Sequence, residues 1–265
     1  TRGLWVLDLE LTPRLFEELS ALKEHGEEEA PYELDPEQRF ARVPDEAGSR
    51  PLTQVSWFEA AALANTLSRR HGLPPCYDLR DCQGRPGLQD FVCQRVLSRG
   101  AACQGYRLPT EAEWEVAARA GDGRATYHGD LSDGVEDAEV LDPIAVYQAN
   151  SEGDPIAENR RYAGGYVSGH GQGKAPNALG LYHMLGNVAE WTDTPEAPYP
   201  ASAGAPVRDP HAAAHIVTPA TRVMVRGGNW DSDARWCRAA ARAHALPRER
   251  DPRLGLRLVR TAPAR

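Results

Sequence analysis

Nowhere in the 265 residues does an apolar run approach the roughly eighteen that a membrane helix needs, and no charged-then-apolar leader opens the chain. The basic surplus of a general nucleic-acid binder is missing too. Thirty Lys and Arg stand against 38 Asp and Glu, a formal charge of -8, whereas phosphate affinity comes from clustered cations that displace counterions. The arginines near the C-terminus are a local exception. No Cys-x-x-Cys pair occurs, no Gly-x-Ser-x-Gly elbow is present, and no internal repeat or low-complexity tract appears. These absences remove the usual zinc-knuckle spacing, the local serine-nucleophile signature and repeat architectures from consideration.

The composition that remains, 41% hydrophobic and 26% charged, is that of a globular chain able to bury a sizeable interior. One large domain over 1–265 is the expectation. Because "GLWVLDLELT" already reads as a strand, the natural product is expected to begin upstream, which leaves room for a fused domain and leaves export undecided by the lack of a leader.

Three helices carry clear start signals. In "LTPRLFEELSAL", Thr12 caps the first turn, Pro13 sits where its missing N–H costs nothing, and Leu15, Phe16, Leu19 and Leu22 form one apolar face. In "SWFEAAALANTLSRRHG", Ser56 and Glu59 make a capping box and Gly72 supplies a left-handed stop. "TEAEWEVAARAG" repeats this with Thr110, Glu113 and Gly121. Each helix is expected to have one core stripe and one solvated charged face. "RVMVRGG" and "GLRLVR" alternate as half-buried strands do. Residues 121–180 and 193–221 show little regular structure, so the fold class is α+β with few regular elements and long loops from which a site would be built.

Four of the five cysteines, Cys76, Cys82, Cys93 and Cys103, fall in one Gly- and Pro-containing insert over 76–103. Disulfides are the favoured state, with a four-thiolate zinc site and free thiols as the alternatives. Bridged cysteines would place the protein outside the cell or on its surface, and free thiols in the cytoplasm. His211 and His215 have the i, i+4 spacing of a zinc pair, but the glutamate of a His-Glu-x-x-His motif is absent and prolines bracket the segment. Gly173-Lys174 lacks the glycine of a phosphate loop, since Ser168 stands at that position and Ala175 follows the lysine.

Four segments carry the informative pattern, in this order: "GYRLPTEAEWEVAARAG", "NALGLYHMLGNVAEWTDT", "RGGNWDSDARWCRAAARA" and "GLRLVR". Together with the opening "LELTPRLFEEL" and "LTQVSWFEAAALANTLSRRHGL", they resemble the formylglycine-generating enzyme family, also called the sulfatase-modifying factor family. The resemblance covers most of the chain and implies an irregular, C-type-lectin-like α+β domain. The family's oxidases bind copper(I) between two cysteines five residues apart, just after a Gly-Gly, and convert a substrate cysteine to formylglycine; soft thiolates suit that ion. Counting from Gly227-Gly228, the first position here is Ser232 and the second falls on Cys237. A serine hydroxyl is a hard neutral ligand, so no copper centre and no catalytic residue are expected, Cys237 being a candidate only under the oxidase alternative. An iron-dependent sulfoxide synthase would need a helical domain with an iron triad that 1–265 does not supply.

The resemblance also implies calcium held by loop oxygens, with Asn150 in one site and Asn187 and Glu190 in a second. Ligand binding is expected in the C-terminal region 222–260, where aromatic and arginine side chains concentrate as binding anchors do. The candidates are Trp230, Asp231, Ser232, Asp233, Arg235, Trp236, Arg242, His244, Arg248 and Arg250. The same frame resembles the C-type-lectin-like proteins varied by diversity-generating retroelements, which would make Asp231, Ser232, Asp233, Ala243, His244, Ala245 and Leu246 variable sites. The ligand, a protein or a small molecule, is not specified by the sequence.

Overall fold

The computed structural model of the chain describes residues 3–13, 15, 51–87, 90–131, 138–151, 174–198 and 213–262. Two α-helices fall among the described residues beyond position 50. Helix α1 (Trp57–Arg70) opens as expected: the Ser56 hydroxyl accepts the Glu59 N–H at 3.2 Å and the Glu59 carboxylate accepts the Ser56 N–H at 3.0 Å. Gly72, at φ 63°, follows its last turn in the left-handed region that a glycine adopts without strain. Helix α2 (Glu111–Arg119) has the same box through Thr110 and Glu113, at 3.2 and 2.8 Å. Its left-handed stop comes one residue before the glycine, at Ala120 with φ 49°. Of the first expected helix, Thr12 does accept the Leu15 N–H at 3.0 Å; Phe16, Leu19 and Leu22 lie outside the described residues.

Among the described residues ten short strands run around these helices: β1 (Leu4–Val6), β2 (Tyr77–Gln83), β3 (Val92–Ser98), β4 (Tyr106–Arg107), β5 (Ala189–Pro195), β6 (His215–Val217), β7 (Val223–Arg226), β8 (Arg242–Ala245), β9 (Leu254–Gly255) and β10 (Val259–Thr261). They form three sheets, in the orders β1-β10-β4, β2-β3-β6 and β8-β7-β5-β9. All pairs are antiparallel except β5 with β9.

The insert expected over 76–103 is a hairpin, β2 against β3, and disulfides, the favoured state, are present; the pairing left open by the sequence is Cys76 to Cys103 and Cys82 to Cys93. Zinc and free thiols are thereby set aside for these four. His215 stands in β6, so the helical i, i+4 geometry that would aim two imidazoles at one ion is not realised; His211, Ser168 and Gly173 lie outside the described residues.

Two expectations about burial are corrected. Helix α1 has no broad solvated face, because Trp57 through Asn65, with Leu67 and Ser68, are all buried. The sequence reads as amphipathic, yet β2, β3 and β4 pack against the helix, and its polar groups are met inside: Asn65 pairs with both backbone groups of Tyr77, and Trp57 donates its ring N–H to the Thr192 carbonyl at 2.9 Å. Strand β7 is likewise buried on both faces and not one. Register explains it. Glu190, Arg226 and Arg242 align across β5, β7 and β8, and this charged row meets α2, whose Trp114, Glu115 and Glu111 receive it. The adjoining row, Trp191, Val225 and Ala243, begins at a fully buried indole whose N–H is taken by the Val55 carbonyl at 2.9 Å. In "GLRLVR" the pattern is overridden in the same way, since Arg257 between Leu256 and Leu258 is fully buried.

Candidate functional site

Where β7 ends, Gly227 (φ 100°) and Gly228 (φ 72°) turn the chain into the segment that leads to β8. A Cβ on Gly228 would lie 2.9 Å from the Cys237 sulfur and from the Trp236 carbonyl oxygen, so only glycine fits. The turn is then fixed by its own polar groups. The Ser232 hydroxyl accepts the Asn229 N–H at 3.1 Å, the Asn229 side chain accepts the Asp231 N–H at 2.9 Å, and the Ser232 carbonyl accepts the Gln148 N–H at 3.0 Å. Trp230 donates its backbone N–H to the Asn187 carbonyl and is buried against Val146. This part of the loop is scaffold, and Trp230 and Ser232 belong to it.

A cleft of about 210 Å³ opens beside the turn. Its space exists because Ala189, Gly227, Gly228, Ala241 and Ala243 are small; Val225, Asn229, Ser232 and Trp236 complete the lining with Arg226 and Arg242. Trp236 is 44% exposed, a large apolar surface left to solvent at the cleft wall. Both arginines of the lining are already neutralised. Arg226 pairs with Glu115, donates to the carbonyls of Ala239 and Ala241 and lies 5.3 Å from the Trp114 ring centre. Arg242 forks onto both oxygens of Glu111 at 2.6 and 2.7 Å, the bidentate geometry a guanidinium favours. Arg250, also expected at the ligand, is instead paired with Glu59 of the α1 capping box.

The remaining candidates do not line the cleft and lie at or near the protein surface. Asp231 faces Arg253 at 3.0 Å, Asp233 faces Arg235 at 2.8 Å and His244 faces Glu196 at 3.2 Å. Arg248 is exposed. Sequence reasoning missed Ala241 and named Ala243 as a variable position and not as part of a cleft; the signal was the spacing of small residues in "RAAARAHA", which a pocket requires as much as its anchors.

Cys237 is free and fully buried, in a cluster with Trp114, Leu185 and Ala234. Burial, helped by the charge of Asp233, pushes its thiol up to about 12, so at neutral pH the thiolate that would bind copper(I) is not formed. The other four cysteines are consumed in the two bridges, and Ser232 is occupied in its turn. The residues present therefore do not fit a two-sulfur copper centre.

The residues named for calcium are engaged within the protein. The Asn150 amide oxygen accepts the Tyr147 N–H at 2.9 Å. Asn187 donates to Glu10 at 2.6 Å. Glu190 accepts the Trp114 ring N–H at 2.7 Å and holds Arg257 at 2.9 Å, so the cation facing this carboxylate is a guanidinium. Burial pushes the Glu10 carboxyl up to about 7, against the pull of Arg257 and the Asn187 hydrogen bond. Among the described residues, no group of three or more His, Cys, Asp or Glu side chains is arranged to hold a metal ion.

Comparison with known proteins gives this architecture its relatives. The chain is 35% identical over 156 residues to "Chaperone protein LppX" of Paenibacillus barcinonensis, which covers 54% of this chain and 51% of that protein. It is 34% identical over 188 residues to the formylglycine-generating enzyme of Streptomyces coelicolor, covering 69% of this chain and 55% of that one. The chain thus spans about half the length of these curated relatives. Among solved structures, Treponema denticola variable protein 1 superposes with a TM-score of 0.63 at 25% identity, over 98% of this chain and 84% of that chain. The fold is accordingly the α+β, C-type-lectin-like kind with few regular elements. Residues 3–262 match the model of the sulfatase-modifying factor enzyme 1-like domain, and the chain belongs to that family.

Proposed function

We propose that the protein is a non-catalytic ligand-binding protein, and that its ligand sits in the cleft between the Gly227–Gly228 turn and β8. The observation that carries this reading is the pairing of a preformed cleft with an exposed tryptophan on its wall, held by a backbone whose own groups are satisfied. Concave, largely apolar sites with a few fixed polar groups are where ligands bind. The likeness to a variable protein of Treponema denticola supports it. A thiol oxidase, the activity suggested by the names of several relatives, is disfavoured by the inaccessible Cys237 and the hydroxyl at Ser232. In copper(I) and oxygen, a sulfatase-motif peptide should remain unoxidised; aldehyde formation that vanishes in Cys237→Ala would reverse this reading.

Within the same proposal, Asp231, Ala243 and His244 are the positions where diversification by a retroelement would be tolerated, because they are exposed, whereas Asp233 is half-buried. Ser232 holds the turn and Ala245 is buried. A template repeat and a reverse transcriptase gene beside the coding sequence would support this, and their absence from the locus would remove it. The two bridges suit an oxidising compartment, and we place the protein there. The central test is an array of peptides and glycans probed with wild type and with Ala243→Trp, which fills the cleft from an exposed position. A ligand lost on filling supports the site. An array on which the two proteins behave alike overturns it.

A further inference from the structure

The two bridges of the hairpin differ in what solvent can reach. Cys76 and Cys103 are 1% and 8% exposed, and the Cys76 sulfur is packed so closely that a Cβ on Gly105 would lie 3.1 Å from it. Cys82 and Cys93 divide unequally. Cys93 is fully buried in the larger core cluster, whereas Cys82 is exposed. The strand order accounts for the division: among the described residues β3 is the middle strand of β2-β3-β6 and β2 an outer one. The directly opposed pair Cys82 and Cys93 therefore joins an outer cysteine to an inner one. Every residue from Arg80 to Arg85 is exposed, and Asp81, at φ 51°, interrupts the ladder between Arg80 and Cys82.

Thiol–disulfide exchange begins when a thiolate attacks one sulfur of a bridge and expels the other, and access helps decide which bridge and which sulfur is attacked. Buried bridges resist it, while exposed ones are the labile and regulatory kind. Of the four bridged cysteines only Cys82 is exposed.

We propose that Cys82 is a site of reversible modification by an external thiol, carried on a small molecule or on a partner protein, and that the Cys76–Cys103 bridge anchors the hairpin while it happens. The incoming thiolate bonds to the Cys82 Sγ as the Cys82–Cys93 bond breaks. The electron pair of that bond passes to the Cys93 Sγ, which takes a proton from solvent. The products are a mixed disulfide at Cys82 and a thiol at Cys93, with no net oxidation. Attack of Cys93, as thiolate, on the Cys82 sulfur reverses the step and expels the external thiol. The change stays local. The buried bridge still closes the base of the hairpin, Tyr77 to Leu79 keep their partners Ser98 to Val96, and β3 stays paired with β6. The part that loosens is already exposed, so little buried surface is lost.

The test uses the whole oxidised chain under native conditions, with glutathione in one arm and reduced thioredoxin in the other. Samples are quenched with acid, alkylated and mapped by peptide mass spectrometry, and near-UV circular dichroism follows the core. Cys82 and Cys93 should leave their bridge at least ~10-fold sooner than Cys76 and Cys103. The glutathione adduct should sit on Cys82, and the near-UV signal should hold while it accumulates. Faster exchange with glutathione at equal thiolate concentration assigns the site to small thiols, and faster exchange with thioredoxin assigns it to a protein partner. Equal rates for the two bridges, an adduct on Cys93, exchange that begins only as the near-UV signal is lost, or no exchange in either arm overturns the proposal.

Discussion

Residues 76–103 and 222–260 both build loops on short strands, and they secure them by different chemistry. The first closes its hairpin covalently, with one bridge at its base and one between opposed residues of β2 and β3. The second has one cysteine, unbridged, and relies on arginines paired with carboxylates: Arg242, Arg250 and Arg257 meet the buried Glu111, Glu59 and Glu190, and Arg226 meets the half-buried Glu115. A bridge acts mainly by restricting the unfolded chain and asks little of native packing, so β2 can leave most of its residues exposed. An ion pair in the interior acts on the native state, where removing one partner strands the other. The cleft lies in the region held the second way, and its walls are therefore coupled to the core.

That coupling predicts where the largest effects fall. Arg257→Ala leaves Glu190 and Glu10, both fully buried, without their guanidinium, and also removes donors to the carbonyls of Leu7 and Tyr182. The expected loss is about 3–5 kcal/mol by denaturant titration. A loss below about 1 kcal/mol would mean that the C-terminal region does not depend on its arginines, and the contrast with the hairpin would break.

Bridge removal comes next and should rank by loop length. Replacing Cys76 and Cys103 with alanine opens a separation of 27 residues, against 11 for Cys82 and Cys93. Loop-closure entropy gives about 3.5 and about 3 kcal/mol respectively. Neither pair should alter ligand binding at temperatures well below unfolding, since neither reaches the cleft. Loss of binding in the Cys82, Cys93 variant would show that the hairpin is part of the site.

A smaller effect should appear at the joint between the two regions. Asp193 of β5 accepts the Ser98 hydroxyl of β3 at 2.6 Å and faces His215 of β6 at 3.5 Å. Burial pulls the His215 imidazole down, but the facing Asp193 carboxylate outweighs it and leaves the group raised above its usual value of 6.5. The folded state thus holds this proton more tightly than the unfolded state. The stabilisation is fully present below about pH 6.5 and is lost as pH rises through the raised folded value. Melting temperatures of wild type and His215→Gln should differ at acidic pH and converge at alkaline pH. Curves that stay parallel throughout would show that the joint carries no charge.

How much of this could be read from the sequence divides along the same line. Helix starts were legible, because a capping box is a local hydrogen-bond pattern written in four residues, and both Ser56–Glu59 and Thr110–Glu113 form it. The bridges were legible as a state but not as pairings, and the hairpin that carries them was read only as a Gly- and Pro-containing insert, although "YDLRDCQ" and "VCQRVLS" are strands. The region of the cleft was legible from Trp236 and its neighbours. The roles of its arginines were not, because whether a guanidinium faces solvent or a carboxylate depends on residues more than a hundred positions away: Arg242 meets Glu111 and Arg250 meets Glu59. Alternation in "RVMVRGG" gave β7 and misjudged its polar face, since a helix carrying acids can bury an arginine row; "GLRLVR" is not one strand but is divided between the end of β9 and the start of β10, with Leu256, Arg257 and Leu258 in neither.

The smallest expected effects are on stability at the surface of the C-terminal region, and they sharpen the comparison most. Asp231 and His244 make single ion pairs with side chains that are themselves about 40% exposed, Arg253 and Glu196, and exposed pairs of this kind contribute ~0–1 kcal/mol. Asp231→Asn and His244→Gln keep the shape of each residue and should shift stability by no more than about 0.5 kcal/mol apiece. Trp230→Ala, one residue from Asp231 in sequence but 6% exposed and packed on Val146, should cost about 3–5 kcal/mol. Neighbouring positions would then differ severalfold in cost, with the scaffold residue sensitive and the surface residue free to change. Measured by denaturant titration, a Trp230→Ala variant as stable as Asp231→Asn would show that the loop is not braced by the core, and a cleft that cannot hold its shape when nearby surface residues vary could not serve as a binding site of changeable specificity.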